Sequence, residues 1–476
     1  MKLTGKYCSC SKACDVVMVC LGLLIALPVH ADRETQAARY YEDALARYQR
    51  QDDAGAIIQL KNALKEDSRM LPALVLMGQA YLRKGEPEAA ERAFQGAESL
   101  GVARTQIAMY QAQAYFDQGK FRELLDKFGA DGLPPQTRLE MLLLRARAQI
   151  TLGQLDAAHS SVTLAAQISG GEARAAALLA QIHLHKGQYA EARKAVVRAL
   201  QLAPRDPLAL NTQASISHVQ GDLETALRDY GLTIAAQPNN LDARIARAAI
   251  YLDLKRDEQA LPDIDYLKKN FANDPRANYL RALYYSRRGD TANAQIALRA
   301  VSETLGQLSR EFLSGSDQLK LLGGLANHAL GEYERAKTFL LAYLDRHPNE
   351  VGARKLLASI YLKQRDYART IAILQPAYQT HAHDAQLVAM LGEAYMGQRN
   401  HGKAAILFQE AAQLRDMPSI QTGLGISLLN AGQKDAGMNA LLRGYQAEAT
   451  AQTGAPLVLT YLKRQDYARA VAVASD

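Results

Sequence analysis

The chain has 476 residues, 48% hydrophobic and 22% charged, with a formal net charge of +7. That balance excludes a disordered chain, and the absence of Trp with only 7% aromatics excludes one large conventional core. Alanine and glycine together make up about a quarter of the residues, which suits many closely packed helices and argues against an all-β sandwich or barrel.

The first segment reads as a secretory signal over residues 1–31. Lys2, Lys6 and Lys12 precede an apolar run from Val16 to Leu27, too short to span a bilayer, and Pro28 breaks it. Val29-His30-Ala31 predicts cleavage after Ala31, and hence export to the periplasm or cell envelope. Cys20 sits inside the run and follows Val19, so no lipidation site is expected. All four cysteines, Cys8, Cys10, Cys14 and Cys20, lie here, so nothing beyond them has disulfide or thiol chemistry.

From residue 37 the sequence repeats itself at about 34 residues. Units begin near 37, 71, 105, 139, 173, 207, 241 and 275, then near 317, 351, 385 and 418, and an incomplete one near 451. The eighth place is always small: Ala44, Gly78, Ala112, Ala146, Ala180, Ala214, Ala248, Ala282, Gly324, Ala358, Gly392 and Gly425. The twentieth is nearly as strict, from Ala56 and Ala90 to Ala404 and Ala470, with Leu124, Thr370 and Gly437 departing. Tyr recurs at the eleventh place, Gly at the fifteenth, and a large apolar residue fills the twenty-fourth from Leu60 to Leu441. Small residues on two antiparallel helices allow close backbone approach, Gly supplies a left-handed cap, and Pro204, Pro238 and Pro348 close their units. One such hairpin cannot bury its apolar face alone, whereas a stack can.

This pattern resembles the tetratricopeptide repeat over residues 37–476 and implies an all-α fold, a right-handed α-solenoid of about 13 helix hairpins. The opening from Ala38 to Asp67, with A-I-I-Q-L-K-N-A-L, is similar to the PrsT family of exosortase/PEP-CTERM-system repeat proteins, which are linked to exopolysaccharide production and protein sorting in Gram-negative bacteria. That resemblance implies protein partners in an envelope assembly or sorting system. The chain departs from it in lacking a lipobox and in stopping early.

Two breaks follow. Residues 302–316 lengthen the eighth unit; Thr304 to Leu313 extend its second helix, and Ser314-Gly315-Ser316 reads either as a tolerated surface insertion or as a hinge. The expected organisation is therefore a block over 37–301, the insertion, and a block over 317–476. A milder irregularity lies at Asp131-Gly132-Leu133-Pro134-Pro135. The last unit reaches Ala470 and stops at Asp476, and Ala470, Val471 and Val473 are expected to be uncovered, which reads as a truncated frame with a fraying end.

No catalytic constellation, cofactor fingerprint or metal-ligand spacing occurs, so the reading is non-catalytic, with no cofactor. His183 and His185 point about 200° apart on one helix and cannot chelate together. Basic runs are no longer than pairs such as Lys268-Lys269, which excludes a phosphate-tracking stripe and hence nucleic acid; no transmembrane helix follows the leader. The working surface should be the concave wall of first helices, at the second, fifth, ninth and twelfth places. The ninth places read Gln79, Gln113, Arg147 and Gln181, and the twelfth read Leu82, Phe116, Ile150 and Leu184. Asn211 alone matches the two-carboxylate clamp of chaperone-binding repeats, beside Leu208 and Ser215. A polar ladder beside an apolar one would suit an extended peptide; the other reading is a solvated wall with Leu and Ile packed on neighbours. Two functions stay open: an exported interaction scaffold, or the recognition arm of a larger glycosyltransferase or export protein.

Overall fold

A computed structural model describes residues 34–308, 313 and 316–475 of the chain. The expected signal segment lies outside the described residues. The described residues contain helices and no strand. No helix among them is long and apolar enough to cross a membrane.

The repeat dictates each hairpin. In Leu71–Lys84 and Pro87–Ser99, Pro72 and Pro87 pre-set the first turns, and Gly85 ends the first helix at φ 80°. The Glu86 N–H then donates to the Tyr81 carbonyl at 2.9 Å, which closes the cap. The same bond recurs from Asp366 to Tyr361 at 2.8 Å and from Asn400 to Tyr395 at 2.9 Å. The fifteenth place is left-handed in every hairpin: eight carry Gly, and Gln51, Lys255, Arg365, Arg399 and Gln465 occupy the other five at φ 59–64°.

The eighth, twentieth and twenty-fourth places form the core. Ala180, Ala192 and Val196 are buried together, as are Ala358 and Leu374. At Gly425 and Gly437 the two backbones come so close that a Cβ on either would stand 2.9 Å from the other's carbonyl oxygen. First helices of successive hairpins also lie side by side, so each contributes a strip to one face.

The chain forms two compact units, up to Ala243 and from Arg244, divided inside the helix Leu241–Asp253. In the first unit the irregular third hairpin has a short second helix, Phe121–Lys127. Gly129, Gly132 and two prolines end it early, yet Phe128 and Leu133 still pack into the core with Leu139 and Leu142. In the next hairpins Asp229 is buried and accepts from Gln213 Nε2 at 2.9 Å.

In the second unit the helix Thr291–Gln307 takes in residues 302–307 of the lengthened segment and stops short of Leu313. Leu305, Leu308 and Leu313 pack with Leu319, Leu322 and Phe339, so this stretch fills space between neighbouring hairpins. Asp263, 1% exposed, is held by Arg247 Nε at 2.7 Å, Arg247 Nη2 at 2.9 Å and Arg244 Nη1 at 2.7 Å. The final hairpin is Ala451–Lys463 and Tyr467–Ser475. Against expectation, Ala470 is covered, packing with Tyr461 and Leu457, and Val473 is partly covered; Val471 is 64% exposed.

Candidate functional site

In the first unit, the helices Arg104–Asp117, Pro135–Thr151, Glu172–His185 and Pro207–Val219 line a groove of about 340 Å³. Met109, Gln113, Glu140, Leu143, Arg147, Arg174 and Leu208 supply its wall. These are second, fifth and ninth places of consecutive repeats, as the repeat geometry requires. An α-helix turns about 100° per residue, so those three places fall on one narrow strip.

The polar groups differ in how far they are satisfied. Glu140 pairs with Arg174 at 2.8 Å. Gln113 Nε2 donates to Asp117 Oδ1 at 2.6 Å. Asp206 caps the last of the four helices by accepting from the Ala209 N–H at 2.8 Å. Arg147 stacks its guanidinium over Phe116, 4.4 Å from the ring centroid, and makes no hydrogen bond or ion pair among the described residues. Desolvation by the groove walls pulls Arg147 below the usual arginine pKa, against the opposing charge of Asp117. Burial likewise pushes the Asp117 carboxyl up, and Gln113 and Arg147 pull it back. Asn211 presents a buried Oδ1 with no donor among the described residues.

Gln113 and Arg147 are therefore brought together in one groove. Gln79 and Gln181 are half-buried, and no hydrogen bond engages their side-chain amides among the described residues. The twelfth-place row follows the second of the two readings, Leu and Ile packed on neighbours. Ile150 is buried, and Leu82, Phe116 and Leu184 pack against neighbouring core residues, so these side chains build the stack and form no free apolar ladder. His183 and His185 are engaged locally, Nδ1 to Gln188 Oε1 at 2.7 Å and Nδ1 to the Gln181 carbonyl at 2.8 Å.

A second groove, of about 760 Å³, lies within the second unit along the helices Ala385–Gly397, Pro418–Asn430 and Ala451–Lys463. Gln386, Ala389, Glu393, Ser419, Thr422 and Ile426 line it from the same second, fifth and ninth places. The same helix pitch that sets the first groove's strip places these residues on one face.

Tetratricopeptide-repeat family models match residues 75–123, 149–216, 321–385 and 355–418. Tetratricopeptide repeat protein 34 of Homo sapiens is 29% identical over 232 residues, 44% of this chain and 40% of its own length. Protein O-mannosyl-transferase TMTC1 of Homo sapiens is 26% identical over 216 residues, 42% of this chain and 24% of its own. The chain thus spans less than half the length of either relative. The crystal structure of the APC/C hetero-tetramer Cut9-Hcn1 aligns at a TM-score of 0.48 and 16% identity, over 94% of this chain and 95% of that one.

Proposed function

We propose, on the premise that this chain is a tetratricopeptide-repeat protein, that it is a non-catalytic interaction scaffold whose first-helix strips hold segments of partner proteins. One observation carries the reading. The Arg147 guanidinium stands in the first groove with no hydrogen bond or ion pair among the described residues, beside Met109, Leu143, Gln113 and the Glu140–Arg174 pair. Groups left open in this way give a ligand both orientation and specificity. Several such strips on one chain would engage partners by multivalency.

The finer proposal is an exported scaffold of a Gram-negative envelope, serving exopolysaccharide assembly or exosortase-linked sorting. The Lys-rich start, the apolar run before Asp32 and the resemblance of Ala38 to Asp67 support it. N-terminal sequencing of the periplasmic fraction should find Asp32 first; recovery of Met1 from membranes would overturn export by cleavage.

The binding reading is tested by placing a photo-crosslinking residue at Gln113. Arg147→Ala should abolish partner capture there while the helical circular-dichroism signal stays unchanged. Unaltered capture would overturn the assignment of this groove. A second reading, a recognition arm of a larger glycosyltransferase, is favoured by the similarity to an O-mannosyl-transferase. Translating the DNA downstream of codon 476 separates the two: further repeats favour the scaffold, and a catalytic segment favours the arm.

A further inference from the structure

The second groove carries a different chemistry from the first. Its apolar wall is made by Met390, Met396, Met417, Phe408 and Ile426. Three thioethers on unbranched stems give a wall that re-forms around varied apolar side chains. Gly423 keeps that wall open, because a Cβ there would stand 2.5 Å from Phe408 Cε1. Two carboxylates, Glu393 and Glu448, line the groove, and no Lys, Arg or His does. Lys355 reaches Gln386 at the edge at 3.0 Å but is already paired with Asp384 at 2.8 Å.

Glu393 occupies the ninth place of its hairpin, where Arg147 stands in the first groove. Glu393 is exposed and no hydrogen bond or ion pair reaches its carboxylate among the described residues, while desolvation by the apolar neighbours pushes its pKa up. A carboxylate exposed at the edge of an apolar groove offers an incoming cation a pairing partner and sets the sign of charge the groove favours.

We propose that this groove binds an apolar polypeptide segment bearing a single lysine or arginine, whose cation pairs with Glu393 while its neighbours bed among the methionines. The proposal rests on the scaffold reading, but it uses none of the residues that test that reading at Gln113 and Arg147. It predicts selection by charge sign, because an acidic residue in the same place would face Glu393 and Glu448.

The test uses the full chain and a labelled synthetic peptide of leucine, methionine and phenylalanine around one lysine, read by fluorescence anisotropy. A second peptide carries glutamate in place of the lysine. The lysine peptide should bind about tenfold tighter or more. Glu393→Gln should erase that preference, and Met390→Lys should weaken the lysine peptide selectively. Glu88→Gln, which removes an exposed charge elsewhere, should leave the preference intact. Equal binding of the two peptides to the unmodified chain, or a lysine preference that survives Glu393→Gln, would overturn the proposal, whatever the outcome of cross-linking at Gln113.

Discussion

The ring of Phe94 lies against the Cα of Gly78, so that a Cβ at position 78 would stand 2.5 Å from Cε1. These are the eighth and twenty-fourth places of one hairpin, and the same approach recurs between Gly324 and Leu340. Gly78→Ala gains helix propensity but forces a fully buried ring to move. The net cost should be about 1–3 kcal/mol, by overpacking. Phe94→Leu in the Gly78→Ala background should recover part of it. Urea unfolding of both variants checks this, and additive losses would show that the two positions are not coupled.

Arg365 holds the left-handed joint at φ 59°, where eight other hairpins use Gly. An L side chain in that conformation is strained by roughly 1–2 kcal/mol, and glycine relieves it at some cost in unfolded-chain entropy. Arg365→Gly should therefore stabilise the second unit by a few tenths to about 1 kcal/mol. Gly187→Ala, at φ 69° in the first unit, should do the reverse. Thermal melts followed by circular dichroism give both signs.

Asp263→Asn leaves Arg244 and Arg247 facing a neutral group where a nearly inaccessible carboxylate had served both. Removing one partner of a buried ion pair costs about 3–5 kcal/mol, far more than a surface bridge. Hydrogen exchange should show the loss at Asp257–Asn270 and its neighbours, since each hairpin of a stack touches only the next.

Asp317 accepts from Lys320 at 2.9 Å and His347 at 2.8 Å, with Arg346 at 3.2 Å. Burial raises its pKa, but the hydrogen bonds from Lys320 and His347 and the nearby charges outweigh that, and the carboxyl is held below its usual range. A lowered folded value means stability that is full above the unfolded carboxylate pKa and is lost as pH falls through the folded one. Asp317→Asn should cost about 0.5–1 kcal/mol at neutral pH and nothing in strong acid. Unfolding midpoints across an acid series check the convergence.

In the last hairpin, Tyr467 is 63% and Val471 64% exposed, whereas Ala192, Val196 and Ala199 on Tyr189–Leu202 are buried. Amides in Tyr467–Ser475 should exchange faster than those in Tyr189–Leu202. Equal protection in the chain studied as a monomer would refute this.

The hairpin period was legible because its core places are backbone-limited: only a small residue fits at 180 or 358, whichever helix follows. The groove strip was legible for the same reason, since the second, fifth and ninth places follow from helix pitch alone. Arg147 and Gln113 line one groove for that reason. At the twelfth place the sequence left two readings open, because Ile150 and Phe116 are apolar in either; only the packing across to neighbouring helices separates them. The stacking of Arg147 on Phe116 and the isolation of Glu393 each depend on which side chains meet between repeats, and no single repeat records that.

The left-handed joint at the fifteenth place gives every hairpin the same corner, even where the helices differ in length, as in Phe121–Lys127 and Thr291–Gln307. Because Arg147 and Glu393 occupy the same slot, exchanging their hairpins would carry a carboxylate into one groove and a guanidinium into the other, with no turn to redesign. On the proposed reading of the two grooves, recombination between repeats would change which charge a strip accepts. If the grooves bind as proposed, the chain's self-similarity would act as a keyboard on which that preference is rewritten one key at a time.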